Sequence, residues 1–177
     1  MPSTDFFRVL GALIIREMIT RYGRSFGGYA WAIIEPVGMI AVLSIAFSQM
    51  LTPPPLWTSF VLFYATGYIP FHLFLEVSTT AGTAVEVNRP LMQFPKITPL
   101  DTVLARFILS LITFAVVCFI VFSGLLFLVE EPVRIDLARI ALAMSECALI
   151  GLGVGTVNAV LFGFLPTWRQ IWNVISR

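Results

Sequence analysis

The sequence predicts an all-α integral membrane protein in which an interfacial amphipathic helix is followed by four transmembrane helices. Of its 177 residues, 58% are hydrophobic and only 12% are charged, and the mean hydropathy is +0.92. Soluble domains average about 45–50% apolar and about 25% charged residues, so this chain has too few polar residues to cover a water-soluble globule. Four apolar segments are each near the roughly 20 residues that span a bilayer as a helix. Both observations favour the bilayer as the solvent of this chain.

Residues 16–36, REMITRYGRSFGGYAWAIIEP, join the predicted surface helix to the first apolar segment. Basic residues come first, followed by the pair Gly27 and Gly28, and then by aromatic residues and an acid–proline step. This order is typical of a chain that lies on the membrane surface and then enters the bilayer. We therefore expect an interfacial helix over residues 5–26 and a hinge at the glycine pair.

The predicted interfacial helix is amphipathic. We expect its apolar side to lie in the lipid headgroup boundary; that side carries Phe6, Phe7, Leu10, Leu13 and Ile14. Glu17 and Arg21 have the acid-first helical spacing that favours an ion pair. A secretory signal peptide is rejected, because charged residues interrupt the apolar part and no small-residue cleavage site follows. A soluble surface helix is the alternative interpretation.

Prolines and charges delimit the four apolar segments. The first ends at three consecutive prolines, 53–55, which cannot continue a helix, and the third ends at an acidic pair before Pro132. Three prolines divide the loop after the second segment and leave room for one brief helix near 83–88. The expected elements are spans at 29–51, 57–78, 102–129 and 137–165, a cytoplasmic loop at 79–100, and a cytoplasmic loop with the start of a fifth span at 166–177.

Lysine and arginine residues predict the orientation of these spans. They occur before the first span, in the 76–106 loop and at the C-terminus, whereas the proline turn at 53–55 carries none. The positive-inside rule then places the N-terminus, the 76–106 loop and the C-terminus in the cytoplasm. Arg134 and Arg139 lie between the third and fourth spans and weaken the contrast without reversing it.

Ionisable residues at or inside the spans are functional candidates, because such groups usually face a bundle interior or a water-filled cavity. They are Glu35, Glu76, Asp101, Arg106 and Glu146. Structural pairing is the alternative for each of them. Glu35 is the strongest candidate, since Pro36 beside it opens the backbone hydrogen-bond ladder. We expect the His72 side chain to be hydrogen-bonded and packed within the bundle. We expect Gly151 and Gly155 to let the fourth span lie close to another helix.

Several chemistries have no motif in this sequence. A phosphate-binding GxxxxGK[ST] loop, a nucleophile elbow and an HExxH metal motif are all absent. The net charge of +1 gives no electrostatic basis for binding nucleic acid. We expect neither catalytic residues nor a metal site on this chain, and active transport would draw its energy from a partner.

The order of residues 16–36 resembles the start of the membrane subunit of ABC-2 type exporters. The likeness is greatest to the capsular polysaccharide export permeases of the KpsM type. Three later segments agree with it: TGYIPF at 66–71, the proline-punctuated segment 88–100, and PTWRQI at 166–171. The resemblance covers nearly the whole chain. Its first block is specific for the superfamily, whereas the polysaccharide assignment rests on overall likeness.

The resemblance implies a transporter subunit of the bacterial inner membrane and not an enzyme. Two copies of the permease would pair with two cytoplasmic ABC ATPase subunits, which hold the ATP and Mg, so this chain needs no cofactor of its own. A lipid-linked polysaccharide would cross the membrane between the two copies. The implied ATPase-coupling residues are Thr83, Val85, Asn88, Arg89, Leu91 and Phe94. The implied cytoplasmic entrance or substrate path contains Tyr29, Trp31 and Glu35.

Two alternatives remain open at this level. An ABC-2 exporter can carry another cargo, such as O-antigen, teichoic acid, a lipid or a drug. Permeases of this type have about six spans, and this chain stops as a fifth apolar run begins at 171, so we expect a C-terminally truncated form, 1–177 being a partial transmembrane domain. A non-transporting remnant is therefore the second alternative.

Overall fold

The computed structural model describes residues 3–23, 27–48, 59–93, 97–128 and 136–176. Within these ranges the regular structure is entirely helical, and four of the helices, α2 to α5, are long and apolar enough to cross a membrane. The predicted all-α class with four spans is confirmed. The helices are α1 (Ser3–Tyr22), α2 (Gly28–Ser48), α3 (Phe60–Val87), a short 3-10 helix (Arg89–Gln93), α4 (Pro99–Leu128), α5 (Leu137–Phe164) and α6 (Pro166–Ile175).

The helix of the second span continues beyond the residues predicted for that span. α3 runs without interruption to Val87, so the separate brief helix expected near 83–88 is wrong, whereas the end of the membrane span at 78 stays a prediction. Threonine hydroxyls within this stretch bond back to carbonyl oxygens of the preceding turn, and small residues such as Ala81 and Ala84 are fully buried against neighbouring helices. Burial of that face stabilises the additional turns. The helix ends at Asn88, close to Pro90, which cannot continue the backbone ladder.

The fourth helix begins at a capping box. The Thr98 backbone N–H donates to Asp101 Oδ2 at 2.8 Å, and the Asp101 backbone N–H donates to Thr98 Oγ1 at 3.3 Å. This reciprocal pair satisfies two backbone donors that the first turn leaves unbonded. Asp101 therefore caps the amino end of α4, which is a structural role, the alternative given above to a functional one.

The core lies around α3, which packs against α2, α4 and α5. Its buried centre combines aliphatic residues of these helices with Phe114. α4 and α5 barely contact each other, so α3 holds the two together. Most remaining surface of α2 and α5 is exposed and apolar, as expected for helices that face lipid or further protein in a membrane.

The contact between α3 and α5 is the most extensive one between helices in the described residues. Two buried glycines of α5, Gly151 and Gly155, make it possible. A Cβ atom at position 155 would lie 2.6 Å from Ala81 Cβ and 2.9 Å from the Ser78 carbonyl oxygen. The predicted close approach at the small residues of this span is confirmed.

α1 presents only part of its apolar side to the bundle. Leu10 and Leu13 are buried together with Ala105 of α4, whereas Phe6 and Phe7 are exposed. The apolar side of α1 is therefore divided: Leu10 and Leu13 face the protein, whereas Phe6 and Phe7 face outward. Exposed aromatic side chains suit the membrane interface that was predicted for this helix.

We predict that Gly155→Ala lowers the free energy of unfolding by about 1–3 kcal/mol, because the added methyl group overpacks the α3–α5 contact. Gly153→Ala is the matched control, since a Cβ there meets nothing within 4 Å. Thermal unfolding of the two variants in the same micelles measures the difference. Equal stability of the two variants would contradict the close packing.

Candidate functional site

A buried polar network lies where α1 meets the carboxyl end of α3 and the amino end of α4, which we call the α1 end of the bundle. At its centre Arg106 Nε donates to Glu17 Oε2 at 3.1 Å, with side chains that are 12% and 8% exposed. Arg106 Nη1 also donates to the Thr80 carbonyl oxygen at 3.2 Å and to Thr83 Oγ1 at 3.1 Å. The pair thus joins three helices.

Asn88 completes the network. Its Nδ2 donates to Glu17 Oε1 at 2.9 Å and to the Ala84 carbonyl oxygen at 3.0 Å, while its Oδ1 accepts from Arg16 Nη1 at 2.7 Å. Both oxygens of the Glu17 carboxylate are therefore bonded, and Asn88 is only 1% exposed. Satisfying every donor and acceptor in this way is what makes a buried charge tolerable.

The predicted Glu17–Arg21 pair is wrong, because each residue binds a partner on another helix. Glu17 is paired with Arg106, and Arg21 forms an ion pair with Glu76 of α3. Burial acts to lower the pKa of Arg21, but the negative groups around it, Glu76 first and then Tyr22 and Glu17, together raise the pKa above its ordinary value. This second ion pair also fastens α1 to α3.

The predicted coupling residues occupy different environments. Thr83 and Asn88 are members of the buried network, and Val85 packs beside Ala81, Ala84 and Val103. Leu91 packs against the α1–α4 cluster, and Phe94 lies outside the described residues. Among the members of this set that the structure describes, only Arg89 is exposed, next to exposed Val87, Pro90 and Gln93. The coupling role of these residues stays a prediction.

A polar cavity of about 270 Å³ lies between α1, α2, α3 and α4. Trp31 and Glu35, two of the three predicted entrance residues, line it. Tyr29 does not line it, but its ring packs edge-on against Tyr22, which does, with 5.0 Å between ring centroids. The lining residues are Arg21, Tyr22, Gly28, Trp31, Ala32, Glu35, His72, Glu76, Ser110, Thr113 and Phe114.

Two side chains of this cavity have buried polar atoms that lack a hydrogen-bond partner within the part of the chain described. They are His72 Nδ1 and Thr113 Oγ1. The ring of His72 stacks on Tyr68, and its Nε2 is 3.9 Å from Glu35 Oε1, which is beyond hydrogen-bond distance. The prediction of hydrogen bonding at His72 is therefore not met by these residues, although its packing is confirmed.

Sequence reasoning missed Ser110 and Thr113. Each is a hydroxyl residue in an otherwise apolar span, and a helical spacing of three places both toward the same cavity. That spacing was the one feature of the sequence that could have indicated these two residues. Glu146, by contrast, is exposed on α5 and does not line the cavity.

The predicted hinge has the backbone geometry of a break between helices. Gly27 has a φ of +86°, a conformation that L side chains rarely adopt, and α2 begins at the next residue. A Cβ at position 28 would collide with the Tyr22 carbonyl oxygen. Both positions require glycine for this turn, and their motion as a hinge stays a prediction.

α6 is fastened to α3 at the same α1 end. Arg169 Nη1 donates to both oxygens of Glu86 at 2.9 Å, and Trp168 Nε1 donates to Asn158 Oδ1 at 3.0 Å. The ends of α3 and α5, the start of α4, and both α1 and α6 thus form one polar layer, whereas α2 to α5 continue as apolar spans.

The four apolar helices and the ion pairs at the α1 end together indicate the class of protein. The chain is a helical, multi-pass integral membrane protein whose first helix, α1, is joined to the bundle by two ion pairs, of which Glu17–Arg106 is buried.

Comparison with known proteins gives relatives within that class, although no family model matches the chain. It is 31% identical over 172 residues to the capsule polysaccharide export inner-membrane protein CtrC of Neisseria meningitidis serogroup A, covering 96% of this chain and 64% of the relative. It is 28% identical over 169 residues to the polysialic acid transport protein KpsM of Escherichia coli (94% and 64%), and 25% identical over 170 residues to BexB of Haemophilus influenzae (96% and 64%).

The chain is therefore similar over nearly its whole length to capsule polysaccharide export inner-membrane proteins, as the resemblance predicted. It spans 64% of the length of these curated relatives.

We predict that Glu17→Met or Arg106→Met alone lowers the free energy of unfolding by about 3–5 kcal/mol, because each leaves a buried charge without its partner. The double variant should be more stable than the sum of the single effects implies. Equilibrium unfolding in micelles, arranged as a double-mutant cycle, measures the coupling.

The control cycle replaces Glu86 and Arg169, whose side chains are 56% and 47% exposed. Such a pair is worth about 0–1 kcal/mol. Additive effects at Glu17 and Arg106 would contradict the buried network.

Proposed function

We propose that this chain is the permease subunit of an ATP-driven exporter that moves a lipid-linked capsular or other cell-surface polysaccharide across the bacterial inner membrane. The observation that carries the proposal is the similarity to capsule polysaccharide export inner-membrane proteins over about 95% of the chain. The four helices that are long and apolar enough to cross a membrane support it. The sequence has no phosphate-binding loop, so ATP and Mg are assigned to a separate cytoplasmic ABC ATPase.

The α1 end of the bundle faces the cytoplasm in this proposal. Arg16, Arg89, Arg106 and Arg169 all lie at that end, and the opposite end carries Arg139 beside Asp136. The excess of arginine supports a cytoplasmic position under the positive-inside rule. α1 then lies in the cytoplasmic headgroup region, where exposed Arg8 contacts anionic lipid.

The coupling surface is defined as Val87, Arg89, Pro90 and Gln93, the exposed residues at the end of α3 and in the 3-10 helix. The ATPase docks here. Directly behind this surface lies Asn88, which is hydrogen-bonded to Arg16 and Glu17 of α1. A displacement of the surface therefore moves α1 and the end of α3 together, and Arg106 transmits it to α4.

The substrate path begins at the cavity between α2 and α4. Trp31 offers an exposed aromatic face and Glu35 a half-exposed carboxylate on its cytoplasmic side. A second copy of the permease completes the path, and Gly27 is the point about which α2 moves relative to α1.

The orientation predicts which end of the bundle a membrane-impermeant maleimide reaches. In a variant with Cys118 and Cys147 replaced by alanine, Arg139→Cys should be labelled in spheroplasts whose inner membrane is intact. Arg89→Cys should be labelled only after permeabilisation. Labelling of position 89 in sealed spheroplasts would contradict the orientation.

The export function predicts the effect of deleting the gene in its native host. Surface polysaccharide should fall by at least tenfold while the polymer accumulates inside, since its route outward is lost. Polysaccharide is measured on intact and on lysed cells. Wild type and Arg139→Glu should restore the surface polymer, whereas Arg89→Glu should not, because it reverses a charge on the coupling surface.

An unchanged surface polymer after deletion would overturn the polysaccharide assignment. If a different lipid-linked cargo then accumulates inside, the alternative of another exported cargo is supported instead.

A further inference from the structure

An apolar groove, which we call the α4–α5 groove, lies between α4 and α5 and is backed by α3. The two helices scarcely touch each other, because each packs more extensively on α3. The space left between them has a volume of about 630 Å³. Among the residues that line it, Leu73 and Phe114 are buried, whereas Phe119 and Leu137 are 74% and 76% exposed. The groove therefore has a floor of protein and an open side.

The lining of the α4–α5 groove is almost entirely hydrocarbon. Among the lining residues that the structure describes, none is charged, and the hydroxyl groups are those of Ser123 and Ser145. Ser145 donates its hydroxyl to the Leu142 carbonyl oxygen of its own helix at 2.7 Å. Because so few polar groups are left to satisfy, an apolar occupant fills this groove at the least cost in free energy.

The open side of the groove continues the lipid-facing surface of the protein. Its lining residues fall within 111–123 of α4 and 137–145 of α5, and both helices are long and apolar enough to cross a membrane. The surrounding medium between the two ends of such helices is the hydrocarbon of the bilayer. An empty groove would deprive its lining of van der Waals contacts on one side, so the groove is filled from this medium.

The dimensions of the groove distinguish a lipid chain from another helix. Residues 111–123 extend about 18 Å at 1.5 Å per residue, so the volume corresponds to a mean cross-section of about 35 Å². An α-helix with its side chains is about 10–12 Å across, which is a cross-section of roughly 80–110 Å². A helix laid over the groove would therefore leave its floor unfilled. The groove holds on the order of twenty methylene groups if each takes roughly the 30 Å³ of one water molecule.

We propose that the α4–α5 groove is a structural lipid site that holds one acyl chain of a membrane phospholipid. A single chain of common length has about the volume that the groove provides, and it bends to follow a channel too narrow for a helix. Its contacts with both walls join two helices that scarcely touch each other. Phe114 lines the groove and the polar cavity alike, so the two spaces share a wall and the lipid site is separate from the proposed polysaccharide path.

Native mass spectrometry of the full chain tests this site. The protein is exchanged into digitonin, whose rigid steroid has no flexible alkyl chain to occupy the groove, and is then incubated with palmitoyl-oleoyl phosphatidylcholine. One phospholipid should stay bound at collision energies that remove the rest. Phosphatidylethanolamine and phosphatidylglycerol with the same acyl chains should be retained to within about twofold, because the contacts are made by the chain and not by the headgroup.

The double variant Ala115→Trp, Ala141→Trp fills the groove from both walls. Both alanines are exposed and line the groove, so the indole rings enter the space of the acyl chain. The retained phospholipid should fall at least about fivefold, since the two occupants compete for one volume. The matched control is Ile112→Trp, Val157→Trp, which changes one exposed residue of each helix outside the groove and should retain the lipid. Helical content and elution volume confirm that both variants fold.

The same masses report the oligomeric state, so other occupants of the groove give different results. A dimer that holds no phospholipid and dissociates in the groove-filling variant would show that a second copy occupies the groove, and it would overturn the proposal. The proposal also fails if the wild type retains no phospholipid, if retention is confined to one headgroup, or if both double variants retain the lipid equally. Loss of the lipid in the groove-filling variant alone supports it.

Discussion

The buried ion pair between Glu17 and Arg106 is the interaction on which the α1 end depends. α1 buries few apolar side chains, chiefly Leu10 and Leu13, so packing alone holds it weakly. The ion pair adds a directional attachment to α4, and Asn88 extends it to α3. Removing either Glu17 or Arg106 would leave the other charge buried without its ionic partner, so the two residues stabilise the attachment only together.

α3 connects this attachment to everything else in the bundle. One of its faces is made of small residues and accepts the backbone of α5 at Gly151 and Gly155. Another face carries Glu76 and His72 toward the cavity, and its last turns carry Thr83 and Asn88 into the network. A helix that is tightly packed on one side and polar on the other transmits displacement as a rigid body, which suits the coupling role proposed for its exposed end.

The polar network and the cavity are neighbours. Thr80 lies within 3.5 Å of Ser110, which lines the cavity, and the carbonyl oxygen of Thr80 accepts from Arg106. Arg21, bonded to Glu76, forms part of the cavity wall as well as the attachment of α1. In the proposed exporter, a change at the ATPase-facing surface can therefore reach Ser110 in the cavity wall through Arg106 and Thr80.

The sequence by itself determined the class, the four spans and the close approach at Gly151 and Gly155, because hydropathy and small-residue spacing are local properties that the bilayer imposes on any helix. It also singled out Trp31 and Glu35, which line the cavity. Only the tertiary structure decided which residues are partners. Glu17 pairs with Arg106 and not with Arg21, α3 continues to Val87, and Thr113 and His72 line one cavity from two helices. Each of these outcomes depends on which side chains a neighbouring helix places within contact distance. A buried carboxylate such as that of Glu17 is stabilised by the partners that form the most hydrogen bonds with it.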